Sequence, residues 1–332
     1  MALTMACSIL RKLSASLLAC ALIAPALMAP ASASAETYPS RPIELVVPYA
    51  PGGASDIIVR AMAPFLQKEM GQSIVVINRA GANTAIAATQ LARSPADGYT
   101  LMLGDVALLL NAAVRTASPG YDTEKDFTPV SLIGSAPLVL FVPFAGSRTV
   151  DEFLARGKDR GVNIANAGPG SLGHLAAELL QLKTATSIVS VPYRGSGLAI
   201  NETMAGQVDA TFTSTASGMP LVKSDRLRAL AIASPTPSKE FPEIPTFDQL
   251  GIKGVYALNW WGIIGPAGLD KAVIDRINVA LKNVVALPEM RERFAALGIT
   301  PSLKPTTEFA SIMKGDLTQW RTVVQQAKIK VD

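Results

Sequence analysis

The chain has 332 residues, a formal net charge of +4, one histidine and two cysteines. This small positive charge, without a basic cluster, argues against nucleic-acid binding. One histidine and no dense acidic cluster leave no ligand set for zinc, and the glycine loops lack the residues that nucleotide-binding motifs require. The sequence therefore predicts no nucleic-acid partner, no metal and no cofactor.

The first 35 residues have the pattern of a secretory signal peptide. Arg11 and Lys12 precede the apolar stretch LSASLLACALIAPALMAP, and Ala33-Ser34-Ala35 forms a small-residue cleavage site. We expect cleavage after Ala35, removal of both cysteines, and export to the periplasm. No later stretch is apolar for long enough to span a bilayer, so we expect a soluble mature protein.

Strands and helices alternate after the predicted leader, which is typical of an α/β fold with parallel strands covered on both faces. Pro64 lies within one predicted helix, so we expect a kink or an early end there. The elements of the first unit are, in order, a strand, a helix, a strand, a short helix and a strand: 43–48, 55–70, 73–78, 84–93 and 99–103.

A second unit repeats the order and predicts a second sheet. Thr149 and Glu152 form a capping box for one helix, and further helices are predicted over 172–183 and 198–206. After the segment WWGIIGP the pattern predicts only helices, which we expect to pack on the first unit. The strands predicted in the second unit are 138–143, 162–167, 188–192, 208–213 and 227–234.

A secreted hydrolase is one functional hypothesis, with Ser171 as the nucleophile. The segment PGSLG resembles a nucleophile elbow but has Pro169 where that motif requires glycine. The single histidine, His174, lies three residues after Ser171, whereas elbow enzymes place their histidine far downstream. We therefore predict a packing or hydrogen-bonding role for His174, and a protein that is not an enzyme.

Four glycine-bearing junctions between a strand and a helix are better candidates for a site. In a parallel α/β sheet such loops lie beyond the carboxyl ends of the strands, where ligands bind. Helix N-termini present free N–H groups to anions, and Ser55, Thr84, Asn166 and Ser171 would add hydroxyl or amide contacts. Each loop could equally be a simple turn. The four junctions are Pro51–Asp56, Ala80–Thr84, Gly168–Ser171 and Tyr193–Gly197.

The same segments resemble those of the Bug-type receptors, the extracytoplasmic solute-binding proteins of tripartite tricarboxylate transporters. The resemblance covers essentially the whole predicted mature chain. It rests on YPSRPIELVVPYAPGGASD, VVINRAGAN, SPADGYTLMLG, DFTPVSLIGSAPLVLFV, VPYRGSG, AGQVDATF, RLRALAIAS, IPTFDQLG, WWGIIGPAG and PEMRERFAALGI.

The resemblance implies a two-lobed, type II periplasmic-binding-protein (Venus-flytrap) fold with a sheet in each lobe and a ligand cleft between them. It places lobe 1 at 36–137, lobe 2 at 138–231 and a return to lobe 1 at 232–332. The family's ligands are small organic acids, typically mono-, di- or tricarboxylates, including amino acids and aromatic acids. For this chain the implied ligand is a mono- or dicarboxylate that could be aromatic, bound by a monomer that delivers it to separate membrane permease subunits.

By the same resemblance, the two glycine loops of lobe 1 hold one carboxylate of the ligand and lobe 2 contacts the remainder. Carried over residue by residue, the implied ligand-binding residues are Tyr49, Pro51, Gly52, Gly53, Ala54, Ser55, Asp56, Gly81, Ala82, Asn83, Thr84, Asn166, Ser171, Tyr193, Gly195 and Thr213.

Three departures from the family pattern bear on specificity. Asn83 and Thr84 occupy positions that are often glycine, so we expect an altered grip on the carboxylate. Thr213 stands where many members have an acid, which makes an amino acid ligand less expected. Apart from these departures, Arg79 is interpreted as a brace for its loop, with direct ligand contact as the alternative. Either Trp260 or Trp261 could line the cleft, and at least one of them is interpreted as a core residue.

A sensor role is an alternative to transport. The same closed lobes could present a ligand-dependent surface to a membrane sensor kinase, and both roles require the same clamp. Genes for permease subunits nearby would favour transport, whereas an isolated gene beside a two-component system would favour sensing.

Overall fold

A computed structural model describes residues 38–115, 118–193 and 195–329. The predicted signal segment and its cleavage site lie outside these residues. Within the described part of the chain, no helix is both long and apolar enough to cross a membrane.

The described residues form ten strands and ten α-helices. The strands are β1 (Ile43–Val47), β2 (Ile74–Asn78), β3 (Thr100–Asp105), β4 (Phe127–Pro143), β5 (Val162–Asn166), β6 (Ile188–Pro192), β7 (Ala210–Ser214), β8 (Leu227–Ile232), β9 (Leu258–Pro266) and β10 (Thr300–Pro305). The helices are α1 (Ala54–Met70), α2 (Ala85–Ala92), α3 (Ala107–Val114), α4 (Val150–Arg160), α5 (Leu172–Thr184), α6 (Ser196–Met204), α7 (Thr215–Lys223), α8 (Lys271–Ala286), α9 (Pro288–Ala296) and α10 (Thr306–Gln326). A 3-10 turn, Ala82–Thr84, precedes α2.

The first sheet combines parallel and antiparallel strands. β1 lies between β2 and β3 and is parallel to both, as βαβ crossovers require. β9 is antiparallel to β3 and to β4, and β10 is antiparallel to β4. The predicted parallel arrangement is thus confirmed for the βαβ core of this unit, whereas β4, β9 and β10 are antiparallel additions.

The second sheet has the same plan. β5 lies between β6 and β7 and is parallel to both. β4 is antiparallel to β7 and to β8. We call the first sheet with its helices lobe 1, and the second sheet with its helices lobe 2.

The long strand β4 connects the two sheets. Its residues up to Pro137 pair with β9, and from Leu138 onward it pairs with β7 and β8. A single strand that changes partners in this way is a direct covalent connection between the two lobes. The division between lobes at 137/138 remains a proposal.

The segment between β8 and β9 bears on where the chain returns to lobe 1, a point predicted at residue 232. The segment 233–257 remains on the edge of lobe 2, because Ala257 N–H donates to Ala233 O and Ala233 N–H donates to Leu138 O. The Phe247 ring also packs 6.2 Å from the Phe212 ring of β7. We therefore propose that the second crossing begins at Leu258.

Several predicted elements were wrong in extent or type. β4 begins at Phe127 and not at 138. The predicted extent of α1 is confirmed, and the early end considered at Pro64 does not occur, because the flanking Met62 and Leu66 are buried. The region after β9 is not entirely helical: β10 is an edge strand, where proline residues are tolerated. α3 was missed because its almost continuous apolar sequence has no helical period.

Helix α8 of the C-terminal region packs against β1 of lobe 1. Ile277, Leu281 and Val284 of α8 share a buried cluster with Ile43 and Leu45 of β1. Burying these apolar side chains removes them from water and secures the return segment to lobe 1.

A substitution at Gly262 of β9 tests how tightly the core is packed around Phe309 of α10. A Cβ atom at Gly262 would lie 2.3 Å from the Phe309 ring and 2.9 Å from the Ser131 carbonyl. We expect Gly262→Ala to lower the free energy of unfolding by about 1–3 kcal/mol, because the core would be overpacked. Gly315→Ala is the control: it lies in α10 with open space around it, and should stabilise by about 0.5–1 kcal/mol. Urea denaturation of both variants measures this difference, and equal stabilities would contradict it.

Candidate functional site

A cavity of about 250 Å³ opens between the two lobes. It lies at the carboxyl ends of the parallel strands, the position at which α/β folds bind ligands. Its described lining residues are Tyr49, Asn83, Asp105, Val106, Ala107, Leu110, Leu138, Ala167, Ser171, Leu172, Gly173, Ser196, Phe212, Thr213, Ser214, Ser217 and Asn259.

The first glycine loop is held by the buried carboxylate of Asp56. Asp56 accepts hydrogen bonds from Gly52 N–H (2.9 Å), Asn78 Nδ2 (2.8 Å) and Arg60 Nε (2.9 Å). Asn78 Nδ2 also donates to the Tyr49 carbonyl at 3.1 Å. Asp56 therefore shapes the loop, and the Gly52 amide that was predicted to bind the ligand already donates to the chain's own carboxylate.

This network sets the charge of Asp56. Burial raises its pKa, but the hydrogen bonds from Gly52, Asn78 and Arg60, together with the Arg60 charge, outweigh burial and lower the pKa below the ordinary aspartate value. A lowered native pKa contributes stability above the unfolded pKa, and that contribution is lost as the pH falls through the native pKa.

We expect Asp56→Ala to lower the free energy of unfolding at pH 7 by about 1–3 kcal/mol, because three donors lose their acceptor. The loss should shrink in acid, where the wild-type carboxylate also becomes protonated. Asp275→Ala is the control, since it removes an exposed ion pair with Lys271 that is worth at most about 1 kcal/mol. Thermal or urea unfolding across a pH series measures both, and a constant difference from pH 7 down to strongly acidic pH would contradict the assigned charge.

The start of α1 leaves several N–H groups without an acceptor. Gly53 is the N-cap and provides no side-chain cap. Among the described residues, the N–H groups of Gly53, Ala54 and Ser55 find no acceptor, as expected for the first turn of a helix. The Ser55 hydroxyl accepts from Trp261 Nε1 at 3.0 Å and is buried. Trp261 thus positions the start of the helix.

The second loop has an unusual backbone. Ala82, Asn83 and Thr84 have φ angles of 47°, 49° and 80°, a left-handed region that is costly for residues other than glycine. Asn111 of α3 secures the loop through donors to the carbonyls of Ala82 and Asn83. The Thr84 hydroxyl is buried without a hydrogen-bond partner in the described part of the chain. Strain of this kind persists where the surrounding structure enforces it, commonly at ligand sites.

Arg79 is a loop brace, as interpreted from the sequence. Its backbone N–H donates to the Val47 carbonyl at 2.8 Å, and its Nη1 donates to Gln90 Oε1 at 2.5 Å. It does not belong to the described lining of the cavity.

Asp105, at the end of β3, is the charged residue of the cavity lining. Its Oδ2 accepts from the Tyr49 hydroxyl at 2.5 Å, and its Oδ1 accepts from Ala107 N–H at 3.1 Å. Burial raises the pKa of Asp105 to about 6, although both of these hydrogen bonds act to lower it. Burial likewise raises the pKa of Tyr49, and the adjacent Asp105 raises it further.

Ser171 caps α5 and does not form a catalytic pair with His174. Its hydroxyl accepts from the backbone N–H of His174 at 3.3 Å, while His174 Nδ1 accepts from Gly170 N–H at 3.0 Å. The imidazole nitrogen that could act as a base is therefore engaged with the loop and not with the Ser171 hydroxyl.

Asn166 shapes the neighbouring loop. Its Oδ1 accepts from Gly168 N–H and its Nδ2 donates to Ser190 Oγ, both at 2.9 Å. Only 1% of Asn166 is exposed. We therefore propose an indirect role for Asn166 in place of the ligand contact predicted from the sequence.

Lobe 2 directs the N-termini of three helices toward the cavity. α5 begins after Ser171, α6 begins at Ser196, and α7 begins after Ser214, whose hydroxyl accepts from Ser217 N–H at 3.3 Å. The positive ends of three helix dipoles favour a negative group on this side of the cavity.

The structure brings four of the residues predicted from the sequence into the cavity lining: Tyr49, Asn83, Ser171 and Thr213. The rest lie outside that described lining, in the loops beside it or behind them: Pro51, Gly52, Gly53, Ala54, Ser55, Asp56, Gly81, Ala82, Thr84, Asn166, Tyr193 and Gly195. Their contact with a ligand remains a prediction.

Sequence reasoning missed Asp105, Ser214, Ser217 and Asn259. One signal was available: Asp105 is a charged residue that ends an apolar strand at the edge where ligands bind. Asn259 carried no such signal, since its position depends on the register of β9 against β4.

The two tryptophans are core residues. Trp260 packs edge-on against Phe309 at 5.1 Å and donates to Asp316 Oδ2 at 2.9 Å. Trp260 and Trp261 are 2% and 5% exposed, and neither belongs to the described lining. Within the described residues, no group of histidine, cysteine and acidic side chains could hold a metal ion.

The chain is similar over most of its length to known proteins. Residues 58–329 match the family described as tripartite tricarboxylate transporter family receptor. BugT of Bordetella pertussis is 36% identical over 306 residues, which cover 91% of this chain and 94% of BugT.

Solved structures agree with this match. Rpa4515 of R. palustris with adipate has a TM-score of 0.77 at 27% identity and covers 88% of this chain and 99% of its own. MatC of Rhodopseudomonas palustris with bound malate has a TM-score of 0.73 at 27% identity, with coverages of 86% and 100%. The two-lobed α/β fold and the family resemblance are both confirmed. The chain belongs to the receptor family of the tripartite tricarboxylate transporters.

Proposed function

We propose that this protein is a periplasmic receptor that captures a small carboxylate between its lobes and delivers it to a membrane permease. The observation that carries the proposal is the cavity between the lobes, which is lined by loops of lobe 1 and by helix N-termini of lobe 2. A ligand in this cavity touches both lobes, so it stabilises the closed arrangement relative to the open one.

The polar groups around the cavity suit an organic acid. The starts of α5, α6 and α7 favour a carboxylate, while Leu110, Leu138 and Phe212 offer apolar surface for a short carbon chain. Adipate and malate, the molecules named with two structural relatives, are carboxylates of this size.

Binding without chemistry is the favoured activity. The Ser171 hydroxyl caps a helix and His174 Nδ1 is engaged by Gly170 N–H, so the hydrolase hypothesis lacks a base positioned at its nucleophile. We therefore propose that the protein acts as a receptor and not as a hydrolase.

Binding can be tested by thermal shift and calorimetry with malate, adipate, succinate, aspartate and glutamate. A ligand at about 100 times its Kd should stabilise the protein by about 2.7 kcal/mol. A protein that is stabilised by none of these acids would contradict the proposal.

Transport requires a separate experiment. Deletion of the gene should abolish high-affinity uptake of the bound acid, and osmotic shock should release the protein with the periplasmic fraction. Normal uptake in the deletion strain, together with loss of a ligand-dependent transcriptional response, would favour the sensor role.

A further inference from the structure

We propose that Asp105 determines ligand specificity: the preferred carboxylate also carries an ammonium group, which binds to Asp105 on the lobe 1 side of the cavity. This inference rests on the proposed receptor function and names the ligand class of the same site. The acidic partner then lies at the end of β3, and not at Thr213, the position where many family members have an acid.

The charge of the cavity is the first argument. Among the described lining residues, Asp105 is the one charged side chain, and no lysine, arginine or histidine accompanies it. A ligand with only carboxylates would bring further negative charge beside Asp105. A ligand with both signs of charge can place its carboxylate at the helix N-termini of lobe 2 and its ammonium at Asp105.

The hydrogen-bonding capacity of Asp105 is the second argument. An ionised carboxylate has about four acceptor sites, and Tyr49 O–H and Ala107 N–H use one on each oxygen. Only 5% of Asp105 is exposed. A buried charge with neutral partners alone is costly, and an ammonium group reduces that cost.

A second acceptor in the same cavity points to the same chemistry. Asn259 Oδ1, on β9 between the lobes, is buried and has no hydrogen-bond donor among the described residues. An ammonium group has three N–H donors. Asp105 and Asn259 thus provide two acceptors at one cavity to which a ligand with N–H donors could bind.

The pH dependence follows from the charge on Asp105. Burial raises its pKa to about 6, so the ionised form is lost as the pH falls below that value. Tyr49, which donates to Asp105, and Tyr121, which interacts with it electrostatically, have raised pKa values and stay neutral there. Binding of the ammonium ligand should therefore weaken in acid. A protonated Asp105 that donates to a second ligand carboxylate would give the opposite trend.

Matched ligand pairs test the proposal. Aspartate and succinate share one carbon skeleton and differ in the ammonium group, and glutamate and glutarate form a longer pair. We expect the wild-type protein at pH 7.5 to bind the amino member of a pair at least ~10-fold more tightly, and this ratio to fall about tenfold at pH 5.

The variant Asp105→Asn should lose the preference while retaining or improving affinity for the dicarboxylate. Asp225→Asn, an exposed residue outside the described lining, should keep the wild-type ratio. A residue with a purely structural role would change both affinities together and leave the ratio intact. If Asp105→Asn does not fold, the ratio of the two affinities of the wild-type protein, measured at pH 7.5 and at pH 5, still tests the proposal.

Equal or tighter binding of succinate and glutarate by the wild-type protein would overturn the inference, as would an unchanged ratio in Asp105→Asn. Binding of malate or adipate without any binding of aspartate or glutamate would overturn it and leave the receptor function intact. Failure of every acid to bind would remove both proposals.

Discussion

Ser217→Trp should abolish ligand binding and leave the fold unchanged. Ser217 is exposed, lies in the first turn of α7 and lines the cavity. An indole at this position is large enough to fill much of the 250 Å³ space, and the exposed site leaves the core undisturbed. We expect the Kd for whichever acid binds the wild type to rise at least ~100-fold, because a filled cavity excludes the ligand.

Ser224→Trp is the matched control for this experiment. Ser224 lies just beyond the other end of α7, is exposed and is outside the described lining. It should bind ligand with wild-type affinity in calorimetry. Wild-type binding by Ser217→Trp, with an unchanged circular dichroism spectrum, would show that the cavity is not the binding site.

Asp316→Asn should stabilise the protein at neutral pH. Asp316 accepts a hydrogen bond from Trp260 Nε1 at 2.9 Å. Burial raises the pKa of Asp316 to about 6, although this hydrogen bond acts to lower it. A shift of about two pH units corresponds to roughly 3 kcal/mol. Because asparagine keeps the acceptor and removes the charge, we expect a gain of about 1–3 kcal/mol at pH 7.5.

The sign of the pH dependence makes this prediction specific. A native pKa above the unfolded value gives a stability contribution that is complete below the unfolded pKa and is lost as the pH rises through about 6. The gain from Asp316→Asn should therefore vanish near pH 4. Asp159→Asn, an exposed change in α4, should alter stability by less than about 0.5 kcal/mol at either pH. A destabilised Asp316→Asn at pH 7.5 would show that the charge itself supports the tryptophan.

Local patterns allowed much of the fold to be predicted. The predicted Thr149 cap is present, since Glu152 N–H donates to Thr149 Oγ1, while the Glu152 carboxylate accepts from Arg148 N–H, one residue before the N-cap position of the predicted box. The parallel βαβ cores follow from apolar strands alternating with amphipathic helices. These features depend on residues close together in the chain, which is why sequence reasoning could find them.

The elements that failed depend on distant partners. β10 is a strand because β4 provides its hydrogen-bond partners, and nothing in TPSLKP itself requires that pairing. The early end considered for α1 does not occur either, because tertiary burial outweighs the one backbone hydrogen bond that Pro64 removes.

The candidate site, too, was predictable only where it depends on local sequence patterns. Strand–glycine–helix junctions were visible in the sequence, but which of their residues face the cavity was not. Asn166 and Asp56 are occupied by hydrogen bonds within the chain, whereas Asp105 reaches the cavity lining through the packing of β3 beside the first glycine loop. Which individual side chains face the cavity therefore depends on how the strands and loops pack in three dimensions.

A crystal structure of the protein with its tightest-binding acid tests the central claim most directly. The account predicts one ligand molecule between the lobes, within hydrogen-bonding distance of a lobe 1 group near Asn83 or Asp105 and of a lobe 2 group near Ser171 or Ser214. A ligand bound on the outer surface, or one that contacts a single lobe in a cleft that stays open, would contradict it.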